Sequence, residues 1–277
     1  MSFRRTATAL ALACHPGPTV AVTAVTGLLA AAVGHRFGSG LLVTGAVLAG
    51  QLSIGWGNDL LDRERDQHSA RRDKPVASGA VRPATVRWAT LLGAGGCVVL
   101  SLLTGALSGT LHLAAVASGW TYNLGLKSTL ASAVPFAVSF GLLPAFVVAA
   151  APGPGHAPVW MVTAGALLGT GAHFANVLPD LADDLATGVR GLGHRLGRRS
   201  CAAAAAALLL AAVAVLALGP PGPPTAGSWA ALVLTVGVGG LGLVLAQRAG
   251  SRAAFSSVLI IAVVALILLV TTGTRLR

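Results

Sequence analysis

The sequence predicts an all-α polytopic membrane protein of about nine transmembrane helices, on three observations. Hydrophobic residues make up 55% of the chain and Asp, Glu, Lys and Arg only 10%, against about 25% charged residues in a typical soluble domain. A water-soluble chain of 277 residues with so little charge has too few polar side chains to cover its surface. The apolar residues also fall into runs near the ~20 residues that an α-helix needs to cross a bilayer. Finally, the basic residues gather in alternate connections, as in a chain threaded back and forth through a membrane.

The chain reads as one domain, 1–277, with a basic N-terminal segment, 1–17, on the cytoplasmic side. The first span, 18–34, is rich in Val, Ala and Thr, and the second, 40–60, runs until the first acids appear. Spans 86–106 and 109–125 are separated by the turn-forming "GALSG", and 129–150 and 158–178 by "APGPGHAP". Span 201–218 begins in an Ala-rich stretch whose hydropathy is weak but whose helix propensity is the best available. After "LGPPGPPTAGS" come 228–246 and 253–272.

With nine spans and a cytoplasmic N-terminus, all 19 Lys and Arg except Arg36, Arg275 and Arg277 lie inside. This explains the net charge of +11 by anchoring against anionic lipid, not by nucleic-acid binding, and it fits a plasma-membrane location. The start "SFRRTATALALACHPG" faintly resembles a lipoprotein signal, but a lipidated Cys14 outside would invert every loop against the charge rule. Cys14, Cys97 and Cys201 show no metal or redox spacing.

The eight acids are Asp59, Asp62, Glu64, Asp66, Asp73, Asp180, Asp183 and Asp184. They occupy two segments, at the cytoplasmic ends of spans two and six. At about 100° per residue, Asp59, Asp62 and Asp66 share roughly a 60° arc of one helix face, with Asn58 beside it and Glu64 pointing away. Asn176, Asp180 and Asp184 repeat every four residues, with Asp183 flanking and Pro179 expected to kink the helix at the interface. Two carboxylate stripes repel unless cations lie between them, and hard divalent ions such as Mg²⁺ take oxygen ligands. The alternative is ion pairing inside each loop, Asp59 with Arg63 or Asp62 with Arg65.

"NDLLDRERD" resembles the NDxxDxxxD signature of the UbiA-type intramembrane prenyltransferases, and "NVLPDLADD" their second, DxxxD-type signature. "RRDKPVASG", "YNLGLKS" and "ATGVRGLGHRLG" resemble segments that accompany these motifs, and the likeness spans about residues 20–270. The sequence departs from the pattern at Lys74, where many members have Arg; at Asn176-Val177, which lacks a leading carboxylate; and at Gly193, where some carry Pro.

The resemblance implies helices around a central cavity open to the cytoplasm. It further implies Mg²⁺ held by Asp59, Asp62 and Asp66 on one side and Asp180 and Asp184 on the other. These five and Lys127 form the implied catalytic set. Asn58, Arg71, Arg72, Lys74, Tyr122, Asn176 and Arg190 would bind substrate. The implied reaction moves a prenyl group from an isoprenyl diphosphate to a lipophilic acceptor, beside membrane lipid. A terpene cyclase using the same carboxylates, without an acceptor, is the alternative. Tyr122 is read either as an interfacial anchor or as a donor to diphosphate, Trp56 as facing the prenyl chain or lipid, and His173 as an acceptor-cavity group or a satisfied buried histidine. A transporter would carry its ionisable residues at mid-membrane, whereas these acids lie at helix ends.

Overall fold

The computed structural model describes residues 3–68, 74–153, 155–245 and 253–274, and every regular element among them is a helix. In chain order these are α1 (Phe3–Ala13), α2 (Pro16–Ala32), α3 (Phe37–Leu61), α4 (Arg63–His68), α5 (Pro83–Leu103), α6 (Ala106–Asn123), α7 (Val134–Ala149), α8 (Val159–Ala186), α9 (Leu192–Leu218), α10 (Ala226–Leu245) and α11 (Ala253–Gly273). A short 3₁₀ turn, Leu126–Ser128, follows α6.

Each of the nine apolar runs falls on a helix. The number of membrane crossings is a separate matter. Among the described residues four helices are long and apolar enough to cross alone, α3, α5, α8 and α9, or five if the bent pair α1–α2 counts as one span. Large apolar side chains remain exposed along the helices, Leu92 at 75% and Val233 at 72% among them. Such exposure is costly in water and harmless in hydrocarbon, as a multi-pass membrane protein requires.

Several boundaries move. Helix α5 starts three residues before the predicted run, because Pro83 at the N-terminus sets a helical φ and Arg82 supplies the extended residue before it; α6 also starts three residues early, directly after Gly105 at φ 124°. Residues 1–17, expected as a plain segment, contain α1, which meets α2 at a 72° bend. Helix α8 continues through Pro179 to Ala186, so the second acid group rides on an unbroken helix. Helix α9 begins at Leu192, nine residues early, and is bent at Gly197, whose φ of 77° is left-handed.

The main core packs Phe146, Met161, Leu209, Leu216 and Ile261 between α7, α8, α9 and α11. A second, smaller core joins α1 to the loop before α5, through Ala9, Val76, Val81 and Val86, with Leu10, Trp56 and Leu60 against it. This small core fixes the approach to the first acid segment. Trp56 Nε1 donates to the Leu10 carbonyl at 2.9 Å; its ring packs on this core, and the sequence alternatives of prenyl chain or lipid give way to a structural role. Gly55 lets the Cys14 carbonyl come so close that an added Cβ would stand 2.2 Å from its oxygen.

That contact is backbone against backbone and cannot be relieved by a rotamer change. Gly55→Ala is expected to lower stability by about 1–3 kcal/mol. Gly95→Ala, where nothing lies within 4 Å of the added carbon, should be neutral or slightly stabilising. Thermal unfolding of both variants in detergent checks the contrast.

Candidate active site

Helix α3 ends one residue before Asp62, which caps it, and α4 begins at Arg63. The ladder nevertheless carries over: Asp62 N–H donates to the Asn58 carbonyl at 2.9 Å and Asp66 N–H to the Asp62 carbonyl at 2.8 Å. The expected shared face therefore survives a break in the helix, and Asp59, Asp62 and Asp66 are all buried. Buried carboxylates need partners, and they have them.

Asp62 is the most heavily engaged. Its Oδ1 accepts from the Lys127 ammonium, and its Oδ2 from Asn58 Nδ2 at 3.0 Å and Arg65 Nη2 at 2.9 Å. Arg65 also lies 3.8 Å from Asp66 through Nε. Thus the Asp62–Arg65 pair of the ion-pairing alternative forms, whereas Asp59 pairs with Lys74 at 3.7 Å and not with Arg63. Asp59 Oδ2 accepts the Val76 backbone N–H at 3.1 Å. Its Oδ1 is buried and accepts no hydrogen bond.

Asn58 spends both amide hydrogens holding the site together: one set of contacts is to Asp62, the other to Asn123 Oδ1 at 3.1 Å. Asn123 in turn donates to the Ile54 carbonyl at 3.0 Å, tying α6 to α3. In the second segment Asp180 and Asp184 are half-buried, Asn176 and Arg190 are exposed, and His194 Nε2 lies 3.0 Å from Asp184 Oδ2. Arg71 and Arg72 lie outside the described residues.

The two segments meet at Tyr122 and Lys127. The phenol of Tyr122 lies in the electrostatic field of Asp184, Asp62 and Asp180, with Arg65 opposing them. Its ring packs edge-on to Phe136 at 5.1 Å and to His173 at 5.9 Å. His173 is buried, and its Nε2 lies 3.2 Å from Ser132 Oγ. Burial pushes the Lys127 ammonium below the ordinary lysine range; Asp62 pulls it back up, Arg65 pushes it down, and Asp184 raises it.

The loop carrying Lys127 is pinned by the tail of the second segment. Leu192 N–H donates to Ser132 Oγ at 3.0 Å, and Gly191 sits so close that an added Cβ would lie 2.3 Å from the Lys127 carbonyl oxygen. Lys127 is therefore held by one half of the site through its backbone and reaches the other half through its side chain.

Asn123, Arg65 and His194 join the site without having been singled out among the candidate residues. Arg65 was legible only as an ion-pair option. Asn123 adjoins Tyr122 in "YNLGLKS", and His194 lies in "GLGHRLG", but only tertiary structure brings either to its carboxylate or amide. Among the described residues no three His, Cys, Asp or Glu side chains converge closely enough to hold one ion. The donors themselves are carboxylate and amide oxygens, the hard set that suits Mg²⁺, and the unbonded Asp59 Oδ1 is an oxygen with capacity for a cation.

Comparison with known proteins gives the family and the fold. The sequence matches the UbiA prenyltransferase family over residues 20–254. The fold resembles a UbiA homolog from Aeropyrum pernix K1, with TM-score 0.70 and 18% identity over 94% of this chain and 97% of that one. It also resembles a UbiA homolog from Archaeoglobus fulgidus solved with GPP and Mg²⁺, with TM-score 0.70 and 12% identity over 95% and 99%. A structure of digeranylgeranylglyceryl phosphate synthase aligns with TM-score 0.66 and 16% identity over 98% and 99%. No curated protein matches the sequence significantly.

Removing one partner of a buried pair strands the other. Lys127→Met should therefore destabilise the protein by about 3–5 kcal/mol. Adding Asp62→Asn should recover much of that loss, because the uncompensated charge is then gone. A double-mutant cycle on unfolding in detergent measures the coupling.

Proposed function

The chain belongs to the UbiA prenyltransferase family, and from that premise we propose that it transfers a prenyl group from an isoprenyl diphosphate to a lipophilic acceptor within the membrane, with Mg²⁺ required. The observation that carries this reading is the bridge made by Lys127, whose ammonium meets Asp62 of the first acid segment and whose backbone carbonyl lies against Gly191, just after the second.

The hard oxygen donors gathered in the two acid segments support the cation requirement. A diphosphate adds further negative charge to a region of low dielectric, where like charges repel strongly. Carboxylates of the first segment, Asp59, Asp62 and Asp66, would serve one Mg²⁺ beside Asn58, and Asp180 and Asp184 another with Asn176 nearby, no three of these carboxylates closing on a single ion. When bound, Mg²⁺ supplies Lewis-acid neutralisation of the departing diphosphate.

The residues of the chain do the rest. Lys127, Lys74 and Arg65 stabilise negative charge that grows on the bridging oxygen as the allylic C–O bond breaks and its electron pair leaves with diphosphate. Arg71, Arg72 and Arg190 are assigned to substrate binding from the sequence motifs, the first two lying outside the described residues. Tyr122 donates its hydroxyl to a diphosphate oxygen. Below the acids, the rings of Tyr122, Phe136 and His173 present π-electron density to the allylic cation and exclude water from it. The acceptor's nucleophilic atom then forms the new bond to the prenyl carbon and releases a proton. The active site opens to the cytoplasm in this reading, as the charge bias requires.

The test uses purified protein, Mg²⁺ and a ladder of prenyl diphosphates, with and without a lipid extract. Released diphosphate is assayed and products are read by mass spectrometry. Prenylated lipid that appears only with extract is the expected outcome; a cyclic hydrocarbon or alcohol without extract would establish cyclisation instead. Asp62→Asn and Asp180→Asn should each lower diphosphate release, per folded protein, by about 100-fold or more. Wild-type rates in both variants would remove the assignment of these carboxylates.

A further inference from the structure

Among the described residues Asp59 forms its ion pair with Lys74, and what holds Lys74 lies outside the acid motifs. Its Nζ is 3.7 Å from Asp59 Oδ1 and 3.1 Å from His15 Nε2. His15 precedes the residues that match the family, 20–254. An ammonium has only hydrogens to offer, so Nε2 is the acceptor and the imidazole is the neutral tautomer protonated at Nδ1.

His15 is fixed in place from several directions. It occupies the 72° bend between α1 and α2, with a left-handed backbone of φ 55° and ψ 69°. Among the described residues it is the one non-glycine with positive φ, a conformation that persists only where the surroundings enforce it. The enforcing contacts are local. The Thr19 hydroxyl donates to the Cys14 carbonyl at 2.8 Å, that carbonyl presses on Gly55 of α3, and Trp56 holds Leu10 at the end of α1. Gly55 and Trp56 lie one turn before Asp59, so the bend and the carboxylate are referenced to the same stretch of helix.

We infer that His15 is a positioning residue that aims the Lys74 ammonium at Asp59 and the incoming diphosphate. A lysine is a point charge on a flexible stem, without the planar fork by which arginine orients itself. At this position it needs an external acceptor to fix one of its three hydrogens. His15 supplies that acceptor, the Asp59 carboxylate an opposite charge at 3.7 Å, and the third hydrogen is left for a phosphate oxygen. The inference rests on the prenyl diphosphate reading above.

Two substitutions separate side-chain positioning from backbone structure. His15→Gly suits the left-handed backbone but removes the acceptor; His15→Gln returns an acceptor atom near the place of Nε2. His15→Gly should raise KM for the prenyl diphosphate and the Ki of inorganic pyrophosphate about fivefold, with little change in kcat or thermal unfolding. His15→Gln should restore most of the affinity. In a Lys74→Met background His15→Gly should have no further effect. An unchanged KM in His15→Gly, or equal impairment in the Gly and Gln variants, would overturn the inference.

Wild-type turnover, measured first, separates its failure from failure of the functional reading. A second readout needs no turnover: acylation of Lys74 by an amine reagent, followed by mass spectrometry, should be faster in His15→Gly than in wild type. Equal rates would overturn the positioning role.

Discussion

One ammonium links the two halves of this molecule's charge. Lys127 sits in a loop whose backbone is clamped by Gly191 and Leu192, just after the second acid segment, and its side chain ends on Asp62 of the first. In a bilayer protein no hydrophobic force distinguishes one apolar helix face from another, since lipid tails are as apolar as leucine. Specific association of helix ends must come from close backbone contact and from polar pairs. The site region has both: small residues admit carbonyls to contact distance, and buried charges demand fixed partners.

That demand also explains the layered order of partners around the acids. Asp62 takes three side-chain donors, Asp59 one backbone donor and a longer-range ammonium, and Asp184 a histidine. Donors fixed before substrate arrives cost no reorganisation when charge develops on a leaving group. The Asn58–Asn123 bridge serves the same end, because it holds α3 against α6 where their polar ends would otherwise be free to slide. The aromatic group beneath marks where the polar region stops and the apolar interior begins.

How much of this could be read in advance follows from the range of each interaction. Lipid-facing helices announce themselves locally, residue after residue, so all nine apolar runs coincide with helices. The spacing of Asp59, Asp62 and Asp66 was likewise legible, because a helix converts four residues of sequence into one turn of space. The boundaries shifted wherever capping and not hydropathy decides: Pro83 starts α5 early, and Asp62 interrupts α3. Helix α1 was missed because its eleven residues are too few to span and too apolar to look like a tail. Partners distant in sequence, such as Asn123 for Asn58 or His194 for Asp184, carry no local signal.

The same reasoning explains why the first half of the site needs support that the second does not. The Asp180 and Asp184 carboxylates ride on α8, a 28-residue helix packed into the main core, so their positions are set by a rigid element. Asp59 and Asp62 stand where α3 gives way to a short helix, and the return of the chain at Val76 is fixed by the small core of Ala9, Val76, Val81 and Val86 and by the Val76 N–H on Asp59. Without α1 the loop bearing Lys74 and Val76 would lose its apolar cover, and the Val76 N–H would no longer be held on Asp59. An N-terminal helix too short to cross the membrane thus makes physical sense as a buttress: it covers Val76 and Val81 and so holds the Val76 N–H on Asp59.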